Sequence, residues 1–307
     1  MPYTGLIAAP HTPLRPNGDL NLGQIPRQVD HLASRGVKGV FVCGTTGEGL
    51  SLMTAERQAV AEAWVTAAAG RMPVIVHAGH ASQREAAALA AHAEKVGAAG
   101  VACVAPFYHT APGVPELVGF LADVAAAAPR TPFYFYDIPS TTHVRVQTAA
   151  VMRQAAERIA TFAGVKYSHP DLVTLQQCVA VREGVLEVLF GVDEMFLAAY
   201  ALGVRGGVGS TYNFAAPLYH RMLAAADAGD WPAARLLQRQ SVELVRVIEE
   251  FGGLAANKAV MRLVGVDCGP VRSPLAPLTA DQEVRLGRRL AELGLFTDDV
   301  SGSRDAG

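Results

Sequence analysis

Lysine is scarce in this chain: four residues stand against 22 arginines among 307. Three of the four occupy places where a solvated charge is expected. Lys38 and Lys95 flank glycines at apparent helix ends, and Lys258 lies in the polar stretch Ala-Asn-Lys. Lys166 instead ends the apolar run Thr161-Phe-Ala-Gly-Val-Lys166, which reads as a buried strand. Cysteine is also sparse: Cys43, Cys103, Cys178 and Cys268 form no C-x-x-C pair and read as buried thiols of a reducing compartment. Neither sign of charge dominates. With 18% charged residues and a net charge of −2, nothing favours nucleic acid or an anionic membrane as partner. The first ten residues lack a positive n-region and carry only a four-residue apolar run, so no signal peptide is expected and the chain reads as cytoplasmic. The longest uncharged stretch, Val96 to Pro115, has the length of a membrane span, but Pro106, Pro112, Pro115 and several glycines speak against a membrane helix. There is no Walker A loop and no G-x-G-x-x-G after a strand, which weakens nucleotide readings. His77 and His80 form an H-x-x-H without a third ligand, so no metal is expected.

What is present is a weak internal repeat. Gly36-x-x-Gly39, Gly97-x-x-Gly100 and Gly203-x-x-Gly206 each follow a helical pattern and precede a short apolar strand. Glycine just past a helix suits a left-handed cap and a tight return into a sheet. Strands that are apolar throughout indicate burial on both faces, hence a parallel sheet. Eight such runs are expected: Gly5–Ala9, Val40–Cys43, Val74–His77, Val101–Val104, Phe133–Tyr136, Phe162–Lys166, Val188–Gly191 and Gly206–Gly209. Helical patterns separate them, one opening at Thr54 and another at the capping box Ser82-Gln-Arg-Glu85. This alternation predicts a (β/α)8 TIM barrel over residues 1–230. A C-terminal helical segment is expected over 231–296, its last helix capped by Thr279-Ala-Asp-Gln282, and a flexible tail over 297–307.

Barrel enzymes carry their chemistry at the carboxyl ends of the strands. There stand Thr45 and Thr46, Tyr108, Tyr136, Lys166, Asp193 with Glu194, and Ser210. Two readings of Lys166 are open: a strand-end charge that reaches solvent or pairs with a carboxylate, or an amine whose desolvation makes it a nucleophile. Gly44-Thr-Thr-Gly-Glu-Gly49 is either a tight βα turn or a cradle whose N–H groups and hydroxyls hold an anionic oxygen. Tyr136 ends an aromatic run in which Tyr134 is a core layer, and its phenol could relay protons to a nearby amine. Asp193 and Glu194 either orient polyol hydroxyls or favour the start of the following helix. Together these parts suit a 2-oxo acid. The cradle holds the carboxylate while the amine condenses with the ketone, and the protonated imine serves as electron sink for a carbon–carbon bond.

With the Gly-Thr-Thr-Gly-Glu loop, Tyr136-x-Ile-Pro139 and Gly164-Val-Lys166, the sequence resembles the N-acetylneuraminate lyase and dihydrodipicolinate synthase superfamily of pyruvate-dependent class I aldolases. The resemblance runs from Thr12-Pro13 to Gly269-Pro-Val-Arg-Ser-Pro-Leu275. It implies Lys166 as Schiff-base lysine, with no other cofactor, and Tyr136 as proton relay. It makes Thr45 and Thr46 carboxylate binders, with Thr45 also linking the tyrosines. It implies a homotetramer in which Tyr108 reaches into a neighbouring subunit's site. No arginine follows Pro139 until Arg145, which counts against the synthase branch. Gly191-Val-Asp-Glu194, Gly209-Ser-Thr-Tyr-Asn213 and Gly164-Val-Lys-Tyr-Ser168 are similar to the lyase branch, where the residues matching Ser168, Gly191, Asp193, Glu194 and Ser210 bind the sugar tail. The expected activity is therefore cleavage of N-acetylneuraminate. The alternatives are a synthase-like or 2-keto-3-deoxy sugar acid aldolase or dehydratase, and a non-catalytic sensor. Asp137 and the polar Thr141-Thr142-His143 depart from the family's pattern.

Overall fold

Apolar runs of four to six residues alternate with helices along the first two-thirds of the chain. The computed structural model describes residues 3–182 and 184–294, so the tail expected to be flexible from Thr297 lies outside the described residues. The strands are β1 (Gly5–Ala8), β2 (Gly39–Val42), β3 (Val74–His77), β4 (Gly100–Val104), β5 (Phe133–Asp137), β6 (Phe162–Tyr167), β7 (Glu187–Phe190) and β8 (Gly206–Gly209). They are parallel and close in sequence order, β8 pairing with β1 through Gly206 and Gly5. The helices outside them are α1 (Ile25–Ser34), α2 (Thr54–Ala68), α3 (Gln83–Lys95), α4 (Val114–Ala126), the short α5 (Pro139–Thr142), α6 (Thr148–Arg158), α7 (Leu172–Val179), α8 (Phe196–Ala201) and α9 (Tyr212–Asp227). The expected (β/α)8 barrel is thus observed, with strand ends within a residue or so of the expected ones.

Side chains alternate across each strand, which divides the apolar residues into two cores. Ile7, Phe41, Ile75, Ala102, Tyr134, Leu189 and Val208 fill the barrel interior, Tyr134 among them as expected. Leu6, Val40, Val74, Val101, Phe133 and Phe190 face the helices. On β6, Val165 and Tyr167 belong to the outer core. Lys166 between them is therefore directed into the barrel, where an apolar residue would be the rule. The repeat glycines Gly36, Gly97 and Gly203 have φ of 73°, 85° and 101°, the left-handed conformation expected of them.

One expected device is only half built. Ser82 Oγ accepts from Glu85 N at 3.4 Å, but the Glu85 carboxylate takes the Thr54 hydroxyl at 2.7 Å instead of returning to the start of α3. A partner on the neighbouring helix α2 wins over the local one. The box Thr279/Gln282 is complete.

After the barrel come α10 (Trp231–Glu250), α11 (Leu254–Leu263) and α12 (Ala280–Glu292). Asp230 caps α10 by accepting from Ala233 N at 3.0 Å. Its buried residues, Ala234, Ser241, Leu244, Val247 and Ile248, recur at helical spacing and pack on α9 and on the single turn Asp193–Met195. Each fully buried Leu, Val or Ile contributes about 1.5–3 kcal/mol against about 1 kcal/mol for a cap, so packing sets where α10 lies. That position brings its C-terminal turn over the mouth of the barrel. Among the described residues no helix is long and apolar enough to cross a membrane.

Candidate active site

Pairing of β5 with β6 sets Tyr136 directly beside Lys166. The Lys166 Nζ lies 3.9 Å from the centroid of the Tyr136 ring and 4.2 Å from that of Phe41. Lys166 is 4% exposed, so its amine meets the cavity between two aromatic rings. The Tyr136 ring is itself wedged edge-on against Phe41 and His77, at centroid distances of 5.4 and 5.5 Å. Its hydroxyl is 3.2 Å from Thr45 Oγ1, a contact in which either group can donate. The phenol is thereby fixed in orientation by packing and by one hydrogen bond.

Thr45 belongs to the loop after β2, which closes on itself: Glu48 N donates to the Thr45 carbonyl at 3.0 Å and Gly49 N to the Gly44 carbonyl at 3.1 Å. The Thr12 hydroxyl donates to the Gly47 carbonyl at 2.6 Å, tying the loop to the segment after β1. His77 Nδ1 is 3.0 Å from the Cys43 carbonyl; a carbonyl only accepts, so this nitrogen carries the proton. Burial, reinforced by the nearby Arg57 charge, pushes the His77 pKa well down and keeps the ring neutral.

Farther out, the strand ends of β7 and β8 meet. Asp193 is buried, and its Oδ2 accepts from Thr211 N at 2.9 Å and from the Thr211 hydroxyl at 2.6 Å. A β-carbon on Gly209 would stand 1.9 Å from the Asp193 carboxylate, so only glycine leaves it room. Burial raises the Asp193 pKa, with the Thr211 bonds opposing. Glu194 is raised mainly by burial too, and the like charges of Asp193 and Glu249 add to it.

A cavity of about 290 Å³ joins these parts, lined by Thr45, Thr46, Tyr136, Lys166, Ser168, Gly191, Asp193, Glu194 and Ser210. Nine of the ten candidate residues therefore meet in one place. Tyr108 does not: it is 80% exposed, its ring edge-on to His109, and it does not line the cavity. Asp137 and His143 also lie off the cavity. The Asp137 carboxylate is turned outward, accepting the Thr148 hydroxyl at 2.6 Å, with its pKa raised by burial. His143 is exposed just past α5. His80 Nδ1 accepts from Ser82 N at 2.9 Å and His77 Nδ1 donates to the Cys43 carbonyl, so each ring has one nitrogen already engaged. Among the described residues no three His, Cys, Asp or Glu side chains are grouped to hold a metal.

Sequence reasoning missed one wall of the cavity. Val245, Ile248 and Glu249 of α10, with Gly253, Leu254 and Asn257 at and within α11, complete the lining. It also misplaced Lys258. Expected in solvent, this lysine is 2% exposed, 2.7 Å from a Glu48 carboxylate oxygen, and donates to the Pro270 carbonyl at 2.6 Å. Burial lowers its pKa while Glu48 opposes the shift. The reason is tertiary: α11 packs behind the loop after β2 and turns Lys258 inward. A visible signal existed, since Lys258 interrupts Leu254-Ala-Ala-Asn-Lys-Ala-Val-Met261, a stretch otherwise mostly apolar.

The arrangement can bring a carbonyl carbon to an amine beside an oriented phenol, with hydroxyls and loop N–H groups nearby for an anion and carboxylates farther out for hydroxyls. Comparison with known proteins agrees with this chemistry. Residues 2–293 match the model of the dihydrodipicolinate synthetase family. The chain is 40% identical to N-acetylneuraminate lyase of Homo sapiens over 310 residues, covering 99% of this chain and 97% of that protein. It is 43% identical to N-acetylneuraminate lyase of Gallus gallus over 88% of this chain and 90% of that one. The solved structure of Proteus mirabilis N-acetylneuraminate lyase superposes with a TM-score of 0.94 at 36% identity, covering 96% of this chain and 100% of that one.

Proposed function

The chain belongs to the dihydrodipicolinate synthetase family, and on that premise we propose that it is a carbon–carbon lyase that cleaves N-acetylneuraminate to N-acetylmannosamine and pyruvate, reversibly. The observation that carries the reading is the convergence of Lys166, Tyr136, Thr45 and the sugar-tail residues on one cavity. The Lys166 amine attacks C2 of the open-chain sugar acid, and loss of water gives a protonated imine. The carboxylate lies in the loop bearing Thr45 and Thr46. Tyr136, helped by the substrate carboxylate, takes the proton of the C4 hydroxyl. The C3–C4 bond then breaks, its electron pair passes into the imine to form an enamine, and C4 leaves as the aldehyde of N-acetylmannosamine. Protonation at C3 and hydrolysis of the imine release pyruvate and restore the amine. No cofactor enters this sequence.

Ser168, Gly191, Asp193, Glu194 and Ser210 receive the hydroxylated tail. Asp193 is already committed to Thr211, so it fixes the β8 end while Glu194 is the freer acceptor. Exposure of Tyr108, away from its own chain's cavity, supports a homotetramer in which this ring completes a neighbouring site. The reading places the enzyme in the cytoplasm with a small-molecule substrate.

Borohydride reduction in the presence of pyruvate, followed by peptide mapping, tests the mechanism, and release of N-acetylmannosamine tests the substrate. The expected results are an adduct on Lys166 and turnover of the sugar acid. No adduct on Lys166 sinks the mechanism. Turnover confined to 2-keto-3-deoxy sugar acids or other 2-oxo acids, with none of N-acetylneuraminate, sinks the substrate assignment.

A further inference from the structure

The loop Gly44–Gly47 is bounded by two non-glycine residues in the left-handed region, Cys43 at φ 56° and Glu48 at φ 54°. Such backbone persists where the surroundings hold it. The front hinge is held from inside the barrel by His77 Nδ1 on the Cys43 carbonyl. The rear hinge is held from outside the barrel. One oxygen of the Glu48 carboxylate lies 2.7 Å from Lys258 Nζ, and the other accepts from Arg272 N at 2.6 Å. The two side chains are 1% and 2% exposed. Arg272 in turn holds Glu56, at the start of α2, with both ends of its guanidinium at 2.6 and 2.9 Å. After Glu48, a β-carbon on Gly49 would be 1.8 Å from the Cys43 carbonyl oxygen, so the residue after the rear hinge lies directly against the front one.

A buried ion pair adds little net stability, because desolvation offsets its attraction. Its distinctive effect is geometric: Glu48 cannot turn without leaving a buried ammonium unpaired. We propose that Lys258 and Glu48 are positioning residues that hold the Thr45–Thr46 loop in the shape that receives the substrate carboxylate, so that the C-terminal segment serves 2-oxo acid binding without touching the acid. The inference rests on the imine reading of Lys166, and it applies to any 2-oxo acid.

The test uses the full chain and two probes trapped on Lys166 by borohydride and located by peptide mapping: pyruvate, which has a carboxylate, and acetaldehyde, which has none. Lys258→Met is expected to raise the half-saturating pyruvate concentration about tenfold or more, the scale of a charge-assisted contact, and to leave acetaldehyde trapping unchanged. Parallel loss of both probes, or an unchanged pyruvate dependence, overturns the proposal. Because Lys258→Met leaves a buried carboxylate unpaired, the double variant Glu48→Gln with Lys258→Met removes both charges while keeping an acceptor for Arg272 N, and it guards against loss by misfolding. It too should bind pyruvate weakly; a folded double variant with unaltered pyruvate dependence overturns the proposal. In the unaltered chain, trapped pyruvate should slow amide exchange in residues 44–49 and around Lys258 and Arg272 together. Protection confined to the loop overturns it without any variant. Absence of an adduct on the unaltered chain removes the imine reading and this inference with it, whereas an adduct indifferent to Lys258 removes this inference alone.

Discussion

At its inner end the cavity offers one amine between aromatic rings, a phenol and hydroxyls; at its outer end it offers Asp193, Glu194 and Glu249. The inner end is built on β2, β5 and β6, whose side chains are fixed by register and by close packing. The outer end is shared between the turns after β7 and β8 and the helices α10 and α11. The difference separates two tasks. Imine chemistry needs a few atoms placed rigidly, which strands supply, and it is the same for every 2-oxo acid. Recognition of a tail needs acceptors at the mouth, which loops and an added helix can vary without disturbing the strands.

The largest effects should come from the inner end. Lys166→Met removes the nucleophile while keeping the packing, and activity should fall by roughly 10⁴-fold or more, with the borohydride adduct abolished. Residual activity near that of the unaltered enzyme breaks the division at once. Tyr136→Phe keeps the ring against Lys166, Phe41 and His77 and removes only the hydroxyl. Its kcat should drop about 10²–10⁴-fold, with pyruvate trapping retained. Loss of trapping would instead mean that the phenol is needed to form the imine. At the outer end, Glu194→Gln should raise KM for the sugar acid about tenfold while pyruvate trapping is unaffected. Equal losses in both assays would erase the distinction between the two ends.

The inner end, with Asp193, Glu194 and Ser210 of the outer one, was legible in the sequence. Lys166, Tyr136 and the glycine-rich loop each sit at the end of an apolar run, which puts them at the carboxyl rim of a parallel barrel; which face they take emerged only from the two cores. The resemblance then supplied the family, and the fold and the relatives bear it out. The outer wall was not legible, because an amphipathic pattern shows that α10 buries a face but not what the face covers. Glu48 and Lys258 are 210 positions apart, so no spacing links them, and a lysine beside an asparagine reads as solvated. Phe41 was seen only as a strand residue; that its ring lies over the Lys166 amine follows from barrel closure.

The finest test of the comparison concerns charge at the mouth. Burial and the neighbouring carboxylates hold the Glu194 pKa above the ordinary glutamate value of 4.5. As an acceptor of tail hydroxyls Glu194 works best ionised, so KM for the sugar acid should begin to rise on acidification at a higher pH than for an ordinary glutamate. Pyruvate trapping, which does not use Glu194, should lack that inflection. Glu249→Gln removes one like charge from its surroundings, so ionisation becomes easier and the inflection should move to lower pH. At neutral pH the same variant should change kcat/KM less than about fivefold, because Glu249 is exposed and screened. A shift to higher pH would show that Glu249 does not raise the Glu194 pKa, and an equal shift in pyruvate trapping would show that the two ends are electrostatically one site.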